Sequence, residues 1–150
     1  MVAITNKLGP LEPQKIANFE QMQGVILPTD YRLFLAKYNG GKPIPNSFDF
    51  DDGNDASCID SFLGITDKDY YSIQDYMLSY EERIPKGFII IAHDPGGNLV
   101  LLGVANGQHG IYFWDHEMEA DDGEIPGFEN TYLIAENFEQ LLSVLYEVDA

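Results

Sequence analysis

Apolar residues recur along the chain at two spacings, and each spacing predicts a type of secondary structure. One run places four large side chains at i, i+3, i+4 and i+7, on one face of a helix: Tyr31, Phe34, Leu35 and Tyr38. Pro28 suits the first turn of this helix, because the N–H that proline lacks would have no helical partner there. Asn39, Gly40 and Gly41 tolerate left-handed φ angles, so the helix is predicted to end before them.

Three further helices are predicted from amphipathic spacing and capping residues. One covers residues 13–23, and another begins with Asp67 as its N-cap and runs to about Tyr80. The last begins at Asn137, with Gln140 three positions later in an arrangement close to a capping box. Its predicted buried stripe is Phe138, Leu141, Leu142 and Leu145.

Short β-rich runs between turn residues predict strands at Ser47–Phe50, Ser57–Leu63, Phe88–Ala92, Leu99–Val104, Ile111–Trp114 and Thr131–Ala135. The connections among the third, fourth and fifth runs have the length of hairpin loops, which indicates an antiparallel meander. The predicted fold is therefore α+β: one domain over residues 1–150, with a central, mostly antiparallel sheet. Helices from both chain ends are expected to pack mainly on one of its faces.

Length and composition agree with one soluble domain. The chain has 150 residues, of which 45% are hydrophobic, and this is enough to form a core. The lone Cys58 forms neither an intramolecular disulfide nor a paired-cysteine metal site. No signal peptide is recognised, and the longest apolar runs fall far short of the roughly 20 residues that cross a bilayer. A cytoplasmic protein without a membrane segment is expected.

The charge of the chain limits the kinds of molecule that it is expected to bind. The chain has 8 basic and 25 acidic residues, a net charge of -17, and Lys86 is its last basic residue. Such a field repels nucleic-acid phosphates, so direct nucleic-acid binding is not expected, and it attracts basic proteins. A surface that serves only solubility is the alternative interpretation.

The segment HDPGGN, residues 93–98, invites a phosphate-binding interpretation because of its paired glycines. A phosphate-binding loop leads from a strand into a helix, whereas this segment leads into the strand-like run NLVLLGV. We therefore predict a hairpin turn, in which Pro95 sets φ, a glycine supplies positive φ, and Asp94 and Asn98 bond to nearby backbone.

Metal binding and catalysis are not expected from the sequence. Candidate metal ligands are His93, Asp94, His109, Asp115, His116 and Glu117. Strand alternation would place Asp115 and Glu117 on one face and His116 on the other. An EF-hand interpretation of DFDDGND fails, because Phe48 and Ile59 occupy ligand positions. Acidic neighbours do not activate Cys58, and no GxSxG motif occurs, so no catalytic residue, cofactor or metal is predicted.

Four motifs in order carry a resemblance to a known family: LPTDYRLFLAKYNGG, the turn around Asp94 to Asn98, IYFWDHE and ENFEQLL. Together they resemble the SMI1/KNR4 family, the first group of the SUKH superfamily, over about residues 12–146. The first motif matches at Leu27, Pro28, Tyr31, Phe34, Leu35, Asn39, Gly40 and Gly41.

The resemblance implies an α+β fold and, for bacterial members, an immunity protein that binds a cognate polymorphic or contact-dependent toxin domain, often a nuclease. Fungal members act instead in cell-wall and signalling regulation. A regulatory or scaffold domain without a toxin therefore remains the alternative, with a small metal-dependent hydrolase as a third. The resemblance transfers no catalytic residue.

Acidic clusters and aromatic side chains are the candidate contacts for a basic toxin domain. The candidates are Asp51, Asp52, Asp55, Tyr70, Tyr71, Trp114, Asp115, Glu117, Glu119, Asp121, Asp122 and Glu124. Tyr76 and Tyr80 lie on the same predicted helix as Tyr70 and Tyr71, and some of these rings are expected to be exposed, since they cannot all face the core. The sequence leaves a monomer and a weak dimer equally open.

Overall fold

The structure, a computed structural model, describes residues 2–68 and 70–148. Its helices are α1 (Pro13–Gln23), α2 (Thr29–Lys37), α3 (Ile73–Ser79) and α4 (Phe138–Val144). Its strands are β1 (Ala3–Thr5), β2 (Lys42–Ile44), β3 (Ser47–Phe50), β4 (Asp55–Cys58), β5 (Ser61–Phe62), β6 (Phe88–His93), β7 (Leu99–Gly103), β8 (Ile111–Trp114) and β9 (Thr131–Ala135). Within these ranges, no helix has the length and apolar character needed to span a bilayer.

The central sheet is an antiparallel meander of five strands in the order β5-β6-β7-β8-β9, which confirms the predicted α+β class. Two small antiparallel pairs flank it, β1 with β2 and β3 with β4. The first pair was not predicted, because strands of three residues are too short to show an alternating pattern.

The two faces of the sheet follow from the strand register. Phe62, Ala92, Val100 and Phe113 lie opposite one another in successive strands. Ser61, His93, Leu99 and Trp114 form the next row, and side chains of adjacent rows point to opposite faces. We call the side of the Phe113 row the helical face and the side of the Trp114 row the tyrosine face.

The helical face is covered by elements from both chain ends, as predicted. Phe34 of α2 and Phe138 of α4 lie with ring centroids 5.1 and 5.5 Å from Phe62. Phe50 of the β3–β4 hairpin lies 4.2 Å from Phe113. Helix α1 packs against α2. On the tyrosine face the only helix is α3 among those that the structure describes. Tyr76 of this helix covers His93, and Tyr80, which follows its last residue, covers Trp114.

The predicted ends of α2 and α4 are confirmed by their contacts. Asn39 has a φ of 53°, and its buried side chain donates to Ile65 O at 2.9 Å and accepts from Ile65 N at 2.8 Å. A Cβ at Gly40 would lie 2.9 Å from Phe62 O, so the chain passes too close to β5 for a larger residue. At α4, the Asn137 side chain accepts from Gln140 N at 2.7 Å.

Two predicted boundaries are wrong. Residues 57–63 form two strands, because the chain leaves β3 at Ile59, whose N–H donates to Asn46 O, and joins β6 at Asp60, whose N–H donates to His93 O. Helix α3 is capped by Ser72, whose hydroxyl accepts from Asp75 N at 3.3 Å, and Asp67 does not cap it. Tyr71 has a φ of 57°, which is incompatible with a right-handed helix that begins earlier.

Candidate protein-binding surface

Residues 115–130, called the acidic loop below, connect β8 to β9, and the two ends of this loop are hydrogen-bonded to each other. Asp115 N donates to Asn130 O at 2.9 Å, and the Asn130 side chain donates to Asp115 O at 2.8 Å. Residues His116–Met118 form a short 3-10 turn, capped by the Asp115 carboxylate, which accepts from Glu117 N at 3.0 Å. The expected strand alternation of Asp115, His116 and Glu117 is therefore wrong, because β8 ends at Trp114.

The segment HDPGGN forms the predicted hairpin turn and also supports the acidic loop. The buried carboxylate of Asp94 accepts from Gly96 N at 2.9 Å and from Asn98 N at 2.8 Å. It also accepts from the Asn98 amide at 2.9 Å and from Ser57 Oγ at 2.8 Å. Burial by itself raises the pKa of Asp94, but these hydrogen bonds outweigh it and lower that pKa. Asn98 in turn accepts from His116 N at 2.9 Å, which fixes the start of the loop.

The middle of the loop is held against the chain segment that follows α3. The Arg83 guanidinium donates to both carboxylate oxygens of Glu119, at 3.1 and 2.8 Å, and lies 4.3 Å from the centre of the Tyr80 ring. A cavity of about 200 Å³ lies beside this pair. It is lined by Glu81, Glu82, Arg83 and the loop residues Glu119, Ala120, Asp121, Asp122, Gly123 and Glu124. Asp121, Asp122 and Glu124 are exposed and form no ion pair within the described ranges.

Apolar side chains stand among these carboxylates. Ile125 is 91% exposed, and Met118 and Phe128 are also exposed. Phe128 lies edge-on to Phe88 at 6.2 Å, which holds the later part of the loop against β6. Exposed apolar groups within a charged rim are typical of protein interfaces.

Of the three aromatic candidates, two lie at the surface and one lies in the core. Tyr70 is exposed, and Tyr71 is half-buried with its ring edge-on to that of Tyr70 at 5.4 Å. Trp114 is fully buried under Tyr80, at 5.8 Å between ring centroids. The hypothesis that Trp114 is a partner-binding anchor is therefore wrong, because its ring is not accessible to another protein.

The second acidic cluster lies on the β3–β4 hairpin. Asp51, Asp52 and Asp55 belong to the turn and strand start of the β3–β4 hairpin, and all three are exposed. This hairpin covers the helical face, whereas Arg83 and Phe88 hold the acidic loop on the tyrosine face. Asp115, Glu117, Glu119, Asp121, Asp122 and Glu124 thus share one loop, whereas the turn belongs to a hairpin on the other face of the sheet, whose Ser57 is connected to the start of the loop through Asp94 and Asn98.

The histidines and the cysteine were the sequence candidates for a metal site and for nucleophilic catalysis. In residues 2–68 and 70–148, no three His, Cys, Asp or Glu side chains are placed to hold a metal ion. Burial raises the pKa of Cys58, and the nearby carboxylates of Asp94 and Asp60 raise it further, so its reactive thiolate is disfavoured.

Several surface residues were missed by the sequence analysis. Four surface residues are close to acidic residues in the sequence: Arg83, Met118, Ile125 and Phe128. Only contacts between distant parts of the chain show that they lie around one surface. The placement of Ile125 and Phe128 within an otherwise charged segment was the available signal.

Comparison with known proteins agrees with this architecture. The model of the SMI1 / KNR4 family (SUKH-1) matches residues 10–144, from just before α1 to the end of α4. The SPbeta prophage-derived uncharacterized protein YokK of Bacillus subtilis (strain 168) is 29% identical in an alignment of 151 positions that covers 89% of this chain and 74% of YokK. The uncharacterized protein YnaB of the same organism is 27% identical over 92 residues, which cover 61% of this chain and 50% of YnaB.

Proposed function

This chain belongs to the SMI1/KNR4 (SUKH-1) family, and from that premise we propose that it is an immunity protein that binds and neutralises a cognate bacterial toxin domain. The acidic loop, residues 115–130, is its principal contact. The bound toxin face is basic, and the cleft of a nuclease is the natural target, because such a cleft is positively charged to hold phosphate.

One observation carries this proposal: the loop combines fixed geometry with unpaired charge. The first residues of the loop are hydrogen-bonded to Asn98 and to Asn130, the last residue of the loop. Glu119 of the loop is hydrogen-bonded to Arg83. Asp121, Asp122 and Glu124 nevertheless remain without ion-pair partners in the part of the chain that the structure describes. A surface that is already ordered loses less conformational entropy on binding, and its charge accelerates the encounter with a basic protein.

Neutralisation would follow from occlusion of the toxin's active site. Carboxylates on the loop would occupy the positions at which a nuclease binds phosphates, and Ile125 would exclude water from the contact. No catalytic group of this chain is required, since a bound protein that blocks substrate access is sufficient.

The experiment compares two triple variants with the same loss of charge. Asp121→Asn, Asp122→Asn and Glu124→Gln remove three charges from the loop, and Asp51→Asn, Asp52→Asn and Asp55→Asn remove three charges from the hairpin. Each is tested against the C-terminal domain of the protein encoded by the neighbouring gene, as the candidate toxin domain, by association kinetics over a range of salt concentrations. The loop variant is expected to associate about tenfold more slowly and with a weaker salt dependence, while the hairpin variant changes little.

Two outcomes would contradict the proposal in different ways. If the unmodified protein neither binds nor inhibits the toxin domain, the immunity role is wrong, and a regulatory or scaffold role becomes the better hypothesis. If it binds and the loop variant associates as fast as the unmodified protein, the immunity role stands and the acidic loop is not the contact.

A further inference from the structure

Four aromatic rings form a ladder along the tyrosine face. Tyr71, His93, Tyr76 and Tyr80 follow one another with ring centroids 5.9, 5.8 and 6.1 Å apart. Their planes are nearly parallel, with successive interplanar angles of 11°, 15° and 9°. Only His93 belongs to the sheet, and the three tyrosines come from α3 and its flanking residues. The ladder is thus the outer layer of this face.

Each end of the ladder carries a cation that also pairs with a carboxylate. Lys42 Nζ lies 5.9 Å from the centre of the Tyr71 ring and 3.6 Å from an Asp60 oxygen. At the opposite end, Arg83 lies over Tyr80 and pairs with Glu119. The tyrosine face therefore already binds two cations, each between an aromatic ring and a carboxylate, and this shows which chemistry the surface accepts.

Apolar and acidic groups beside the ladder are exposed, and Lys68 Nζ lies 5.8 Å from the centre of the Tyr70 ring. Leu78, on the outer side of α3, is 73% exposed, and Tyr70 is 54% exposed. Beyond Arg83, the cavity of about 200 Å³ is lined by Glu81, Glu82 and the acidic loop. An aromatic and apolar centre thus adjoins a carboxylate rim, which is the usual anatomy of a protein-binding hot spot.

We propose that this surface, Tyr70–Arg83 together with Glu119–Glu124, docks an arginine-rich face of a partner protein. A guanidinium group of the partner packs on the exposed ring of Tyr70, and others pair with the adjoining carboxylates, as Arg83 does within the chain with Tyr80 and Glu119. The net charge of -17 complements a basic partner. This inference deepens the proposed function by placing α3 beside the loop in the contact, while the turn at Asp51–Asp55 lies outside it.

The test uses a hexa-arginine peptide as probe, so that it does not depend on the toxin. The isotope-labelled full chain is titrated and followed residue by residue by NMR, with a hexa-lysine peptide in parallel. The largest shift changes are expected within residues 70–83 and 119–124. Hexa-arginine is expected to bind about threefold more tightly than hexa-lysine, because the planar guanidinium stacks on rings and an ammonium does not.

Matched variants distinguish peptide binding at this surface from nonspecific attraction of a basic peptide to an acidic protein. Asp121→Asn with Asp122→Asn is expected to weaken hexa-arginine binding about fivefold, and Tyr70→Leu about threefold. The control, Glu136→Gln with Glu139→Gln, removes the same charge near the start of α4 and is expected to change little. Equal losses in both double variants, or equal affinity for the two peptides, would overturn the proposal.

The same variants distinguish this inference from the immunity role. If the toxin domain binds and is unaffected by Tyr70→Leu and by Leu78→Ser, the tyrosine face is not the contact, although immunity stands. Ile26→Ser, at a similarly exposed position of 79%, is the control for Leu78→Ser. If the peptide result holds and the toxin does not bind, the docking surface is supported and its partner is another arginine-rich protein.

Discussion

The helical face and the tyrosine face of the sheet are covered in different ways. On the helical face, Phe34, Phe62 and Phe138 come from distant parts of the chain, and all three are buried. On the tyrosine face, one short helix lays half-buried rings over His93 and Trp114, and cations and carboxylates hold its edges. The difference indicates that the helical face supplies most of the stability, whereas the tyrosine face presents groups that a partner can reach.

The largest expected effect on stability comes from truncating one aromatic side chain on each face to alanine. Phe138→Ala should lower the free energy of unfolding by about 3–5 kcal/mol, because the ring is fully enclosed and the space would not refill. Tyr76→Ala should cost roughly 2 kcal/mol or less, since its ring is only half-buried. Urea unfolding measures both, and equal losses would show that the tyrosine face is packed as firmly as the helical face.

Asp94 tests the connection between the hairpin and the acidic loop. Asp94→Asn should cost about 1–3 kcal/mol at neutral pH, because the amide cannot accept all the hydrogen bonds that the carboxylate accepts. The folded-state pKa of Asp94 is lowered, so its contribution is full above the ordinary pKa of an aspartic acid and is lost as the pH falls through the folded-state value.

Urea unfolding at decreasing pH should therefore show the unmodified protein and Asp94→Asn converging in acid. Asp52→Asn, at an exposed turn position, is the control and should leave stability nearly unchanged at every pH. A difference that persists undiminished in acid would contradict the assigned role of the carboxylate.

Tyr31 offers a stabilising substitution on the helical face. Its hydroxyl is fully buried and has no hydrogen-bond partner among residues 2–68 and 70–148, and burial raises the pKa of this tyrosine. Tyr31→Phe should leave stability unchanged or raise it by up to about 1 kcal/mol, because an unpaired hydroxyl is removed from the core. Thermal unfolding measures the change, and a clear loss would mean that the hydroxyl is bonded in solution.

The smallest expected effect on stability lies at the edge of the tyrosine face. Arg83→Met should cost less than about 1 kcal/mol, because the Arg83 side chain is 45% exposed and ion pairs in contact with solvent contribute little. Hydrogen exchange of the amides of Glu119–Glu124 should nevertheless become faster, since the loop loses its bond to the segment after α3. Unchanged exchange there would show that the Asn98 and Asn130 contacts hold the loop alone.

Local patterns predicted most elements of this fold, and the errors have local physical causes. The meander, α2 and α4 were correct because hydrophobic spacing, caps and turn residues agree with one another in those segments. The start of α3 was misplaced because Asp67 and Ser72 are both suitable caps, and only the positive φ of Tyr71 decides between them. The strand at residues 57–63 was divided because the chain changes pairing partner at Ile59.

The sequence by itself determined the fold class, the family resemblance and the sign of the surface charge, since these depend on composition and on spacing along the chain. The tertiary structure decided which groups share a surface. It buried Trp114, placed the β3–β4 hairpin with its acidic turn over the helical face, and aligned Tyr71, Tyr76 and Tyr80 with His93 between two cations. Such placements depend on strand register and on contacts between residues far apart in the chain, which local patterns do not specify.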